Sequence, residues 1–178
     1  MLQSATLRKI EIKLFSILVI SCFISLSSCE KDKAAIEIDK QLFDLAKSPS
    51  GFVWFKNSDE LLAKSSGSGH PQDFLRTRYN SIAATQLDAN GKIIEGTTFP
   101  EGSLIVKELY EDASTLDRYA ILYKDSENEY ADANGWVWGY INANGSVAVS
   151  ADTKGSSCIS CHSQTNNIDY MLMNKYYP

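Results

Sequence analysis

The chain has 178 residues, with 17 Lys and Arg against 22 Asp and Glu and a formal net charge of −5. An acidic balance of this kind is a poor match for a phosphate backbone, so no nucleic-acid partner is expected. No internal repeat or low-complexity stretch interrupts the sequence.

Residues 1–28 read as a signal peptide. Arg8, Lys9 and Lys13 make a basic start, and the apolar stretch at 14–26 is too short for an ordinary membrane-spanning helix. Leu26-Ser27-Ser28-Cys29 follows and resembles a bacterial lipobox, in which cleavage precedes the cysteine and Cys29 receives acyl chains. Each buried methylene then contributes about 0.8 kcal/mol, and several chains hold the protein firmly to a membrane. The competing reading is a secreted protein with a free Cys29. Lipidation makes the protein exported and anchored to a bacterial membrane, facing the periplasm or the cell surface. Without Arg8, Lys9, Lys13 and Glu11, 14 basic and 21 acidic residues remain in a mature chain of 150, a net charge of −7. That length suits one domain with its own core.

Residues 29–35 read as a lipidated tether and 36–178 as the folded domain. Ile36, Ile38, Leu42, Phe43, Leu45 and Ala46 recur at helical spacing until Ser48-Pro49-Ser50-Gly51 ends the run. A short strand at 52–55 and a helical turn at 58–64 are expected next, then a Gly-Ser loop through His70-Pro71. Beyond it the chain reads as strands at 77–84, 103–110, 119–124, 135–141 and 146–150, with turns at 88–91 and 142–145. The fold class is α+β and β-rich: an antiparallel meander flanked by a few helices.

The most informative residues come near the end. Cys158-Ile159-Ser160-Cys161-His162 is a C-x-x-C-H run, which holds two thiols able to add across haem vinyl groups and an imidazole for the iron. A structural zinc needs about four protein ligands, and only His70 remains to join these three. A thioredoxin-type dithiol belongs in an early βαβ unit, whereas this motif lies sixteen residues from the last residue. Covalent haem c is therefore the expected cofactor, with Cys158 and Cys161 as attachment points and His162 as proximal iron ligand. Cys22 leaves with the signal and Cys29 is acylated, so no pair remains for a structural disulfide.

The usual small helical cytochrome plan does not fit, because there the motif is N-terminal, and four-helix bundles need helices this chain lacks. The order of features instead resembles the cytochrome P-460 family, with its β-rich cytochromes c-prime-beta. The carriers are His70 with Arg76 and Asn80, the run Phe99-Pro100-Glu101-Gly102-Ser103-Leu104-Ile105-Val106-Lys107-Glu108, Gly135-Trp136-Val137-Trp138, and Lys154-Gly155 ahead of the haem motif with Asp169 beyond. The resemblance spans roughly residues 50 to 175, a domain-sized stretch. It implies an antiparallel sheet flanked by helices, a homodimer, and a five-coordinate haem with an open distal side. It also implies that Lys107 is bonded through its nitrogen to the haem edge, as in the family's hydroxylamine-oxidising enzymes.

Strand alternation alone puts Ile105, Lys107 and Leu109 on one face, where a lysine either snorkels outward or is buried with a depressed pKa. His70 is the other histidine and is read either as a loop residue or as a sixth iron ligand. Glu108 alternates to the opposite face and reads as a surface charge, the alternative being an acid near the distal pocket that shuttles protons. Arg76 either pairs with a haem propionate or is an ordinary strand charge. Phe99, Trp136, Trp138 and Tyr140 read as core aromatics, some of them walling the haem.

The expected function is oxidation of hydroxylamine or a related small nitrogen species, with electrons passed to a redox partner protein. The alternatives are non-catalytic binding of nitric oxide or another gas, and electron transfer with two histidine ligands.

Overall fold

The computed structural model describes residues 36–178, so the expected signal peptide, Cys29 and tether lie outside the described residues. The first element, α1 (Glu37–Ala46), is the amphipathic helix expected from its spacing, with Ile38, Leu42 and Ala46 buried. Two short strands follow, β1 (Val53–Trp54) and β2 (Leu62–Ala63), then β3 (Phe74–Tyr79), β4 (Leu104–Tyr110), β5 (Leu116–Lys124), β6 (Trp136–Asn142) and β7 (Val147–Val149). The two short terminal helices are α2 (Ile159–His162) and α3 (Met173–Tyr176). Among the described residues no helix is long and apolar enough to cross a membrane.

The seven strands form one antiparallel sheet in the order β1-β3-β4-β5-β6-β7, with β2 also paired to β3. This is the β-rich meander with a helix ahead of it. Two local expectations fail. The segment at 58–64 holds β2 rather than a helical turn, because Leu62 and Ala63 pair with Leu75 and Phe74. The strand expected at 77–84 starts earlier, at Phe74, and ends at Tyr79, where the Asn80 side chain takes over. Asn80 Oδ1 accepts from the backbone of Ala83 and Leu104, and its Nδ2 donates to the Gly102 carbonyl at 2.9 Å. These bonds replace ladder bonds and turn the chain away from the sheet.

The sheet separates two cores, because successive strand side chains alternate in direction. Leu104, Val106, Tyr119, Ile121, Val137 and Ile141 pack with α1 on one side, and Leu75, Tyr79, Ile105, Leu109, Leu122, Trp136 and Trp138 pack on the other. Asp39 fastens α1 to the end of the sheet by accepting from Ser150 Oγ at 2.7 Å and from the Ala151 amide at 2.8 Å.

Glu108 lies on the α1 side. It is 4% exposed, which corrects its reading as a surface charge. Its carboxylate pairs with Arg76 Nε at 2.6 Å and Arg78 Nη1 at 2.8 Å and accepts from Tyr110 at 2.9 Å. A buried carboxylate needs such partners. Arg78 also donates to the Ala46 carbonyl, placing a cation at the C-terminus of α1. Arg76 is spent on this network, on the side of the sheet away from the haem motif, and the propionate reading does not hold.

Candidate functional site

The opposite face is built in transverse rows. Register pairs Thr77 with Lys107, Lys107 with Ala120, and Ala120 with Tyr140; the next row pairs Tyr79, Ile105, Leu122 and Trp138 in the same way. The Asn80 bonds to Gly102 and Leu104 hold the start of β4, and thereby the register that turns Lys107 to this side.

The haem motif closes over these rows. Beyond β7 the chain makes a one-turn 3-10 helix at Ala151–Thr153, and the Gly155 carbonyl accepts from the amides of Cys158 and Ile159 to start α2. Gly155 has φ +70°, and a Cβ there would lie 2.6 Å from the Trp138 ring. Only glycine meets both demands, so Gly155 sets how closely the motif approaches the sheet. Trp138 is itself fixed by donation from Nε1 to Asp132 at 2.8 Å, and its ring meets the His162 ring edge-on at 5.2 Å.

Between motif and sheet lies a cavity of about 270 Å³, whose lining includes His70, Ala120, Leu122, Trp138, Tyr140, Cys158, Cys161 and His162. A smaller cleft adjoins it and adds Thr77, Ile105, Lys107 and three residues of the 171–173 segment. Five residues expected at the site thus line these two adjoining spaces: Cys158, Cys161, His162, Lys107 and His70. His70 stands in the loop between β2 and β3, and its side chain lines both spaces and stacks on Tyr140 at 5.7 Å. Trp138 and Tyr140 form walls, while Phe99 and Trp136 are core. Cys29 lies outside the described residues.

The donors fit a covalently held haem. Both thiols are free and border the cavity. His162 Nδ1 lies 2.8 Å from the Tyr170 carbonyl oxygen; a carbonyl only accepts, so Nδ1 carries the proton and Nε2 keeps its lone pair for a metal. Among the described residues no group of three His, Cys, Asp or Glu side chains is arranged closely enough to hold a metal ion by itself. The sulfur of Met173 receives a bond from Thr77 Oγ1 at 3.3 Å.

The site favours neutral bases. Burial, followed by the charge of Lys107, holds His162 down to about 4 and His70 to about 3. Burial also lowers Lys107 to about 8, against a smaller opposing effect of Cys161. Lys107 remains partly accessible through the cleft it lines, and its amine has no hydrogen-bond or ion-pair partner among the described residues. An amine whose pKa is lowered in this way, unpartnered and beside the haem motif, is a better nucleophile than an ordinary lysine.

Two contributors went unread in the sequence. Gln72 is buried and links Tyr140 to Asp117; nothing marks it beyond its nearness to His70. Tyr170 acts through a backbone carbonyl, which leaves no signature in residue type, although the carrier Asp169 lies beside it.

The family model described as Cytochrome P460 matches residues 54–173, about two thirds of the chain. No curated protein and no solved structure matches.

Proposed function

The chain belongs to the cytochrome P460 family, and from that premise we propose that it oxidises hydroxylamine or a related small nitrogen species, with Lys107 bonded to the edge of its haem. Its cofactor is a covalently attached haem c, as the family binds it. When bound, the haem supplies an iron centre that takes a nitrogen ligand and accepts its electrons.

The observation that carries this reading is Lys107: an unpartnered amine, lowered by burial to about 8, in a cleft shared with His162. The protein's own residues do the remaining work. Cys158 and Cys161 hold the haem, and Tyr170 orients His162. Ala120, Leu122 and Trp138 keep the cavity apolar and restrict water. His70 and Tyr140 are the polar groups best placed to exchange a proton within it.

The proposal extends to the cell. Export, acylation at Cys29 and a place at the periplasmic or outer surface follow from the N-terminal sequence, and a separate redox protein would receive the electrons. A homodimer is taken from the family resemblance. If Lys107 is free, the same cavity suits binding of nitric oxide or another small gas instead.

The test is anaerobic turnover of the haem-loaded protein with hydroxylamine and a redox dye as acceptor. Hydroxylamine-dependent dye reduction that Lys107→Ala abolishes supports the reading. A fully haem-loaded wild type that reduces no dye overturns it.

A further inference from the structure

The ring centres of His70 and His162 are 6.4 Å apart, and both side chains line the same two spaces. Two imidazoles on opposite sides of one metal, each bound at about 2.0 Å with its ring radius added, place their centres about 6 Å apart. The observed separation matches that span.

The hydrogen bonds around His70 specify which nitrogen is available. Asp117 accepts from Gln72 Nε2 at 2.5 Å, which leaves the Gln72 carbonyl oxygen to accept from Tyr140 at 3.5 Å. The Tyr140 hydroxyl, having donated its proton, accepts from His70 Nδ1 at 3.3 Å. His70 therefore keeps its lone pair on Nε2, as His162 does under the Tyr170 carbonyl. Two separate networks prepare two histidines in the metal-binding tautomer at a metal-bridging distance.

We propose that His70 is a second axial ligand of the haem iron, holding the distal position in the resting protein and yielding it to an incoming small ligand. The two histidines are held unequally. His162 belongs to α2, with its amide bonded to the Cys158 carbonyl in addition to its ring bond. His70 stands in the loop between β2 and β3, between exposed Gly69 and exposed Pro71, and its ring bond to Tyr140 is long. The ligand that gives way is His70. This inference rests on haem attachment at Cys158 and Cys161 and is independent of hydroxylamine chemistry.

The experiment is visible absorption and electron paramagnetic resonance of the ferric, haem-loaded protein, wild type beside His70→Phe and His70→Gly. The expected result is a low-spin wild type, a high-spin His70→Phe protein with unchanged haem content, and return of the low-spin signal when free imidazole is added to His70→Gly. A high-spin wild type, or a low-spin signal that survives both substitutions, overturns the proposal. Should the variants fail to retain haem, pulsed resonance of wild type labelled with 15N-histidine still decides: two coupled imidazoles support it and one overturns it. A haem spectrum must be present for any of these outcomes, so failure here is distinct from failure to oxidise hydroxylamine.

Discussion

The Trp136 indole donates to Asp169 Oδ1 at 2.9 Å, joining the start of β6 to the segment seven residues beyond His162. The other Asp169 oxygen accepts from the Phe99 amide at 2.9 Å and lies 3.7 Å from Lys124 Nζ. Asp169 has φ +45° and precedes Tyr170, whose carbonyl orients His162. One carboxylate thus locks the backbone that sets the proximal imidazole.

Asp169→Ala is expected to lower unfolding free energy by about 1–3 kcal/mol for each buried donor left without a partner. The same change should broaden the haem resonance spectrum, because the Tyr170 carbonyl loses its fixed position. Chemical denaturation and resonance linewidths check the two effects separately.

Removing Glu108 strands the fully buried Arg78 without its counter-charge. Glu108→Ala should cost about 3–5 kcal/mol, while leaving the haem spectrum of the surviving folded protein unchanged, since the network lies on the α1 side. Urea denaturation followed by fluorescence gives the first number and absorption the second.

The Glu108 network also shows where sequence reading stops. Strand alternation correctly separated Glu108 from Lys107, but its partners Arg76 and Arg78 come from β3, and only the register of β3 on β4 brings them together. The haem motif was legible because its donors are adjacent in the chain. Lys107 was legible through alternation and the resemblance together. His70 was legible only as one of two alternatives, since a loop carries no periodicity and its partner Tyr140 is seventy residues away. The early end of β3 went unread because it depends on one Asn80 side chain satisfying three backbone groups.

Lys107 predicts a pH dependence in haem-free protein carrying Cys158→Ser and Cys161→Ser. Its folded value, about 8, lies below the ordinary 10.5, so the unfolded chain binds more protons between those limits. Stability should therefore rise with pH across that window and decline towards pH 8. Lys107→Met should flatten the rise; a difference between the two proteins that stays constant from pH 8 to 10 would contradict it.

Asp112 governs the turn between β4 and β5. Its carboxylate accepts from the amides of Ser114 and Thr115 and from both hydroxyls, which hold it at about 2. A carboxyl held below its ordinary 3.8 stabilises the fold above that value and loses the contribution as pH falls through about 2. Asp112→Ala should thus be less stable than wild type at pH 7, with the gap narrowing between pH 4 and 2, as thermal melts across that range would show.

Mass spectrometry of a proteolytic digest of the haem-matured protein asks whether Lys107 has joined the haem. A single species containing the Lys107 peptide, the haem and the peptide of Cys158 and Cys161 is the predicted result, and Lys107→Ala should release the first peptide. Haem found on Cys158 and Cys161 alone, with a free Lys107 peptide, would contradict the cross-linked site and move the reading to gas binding or electron transfer.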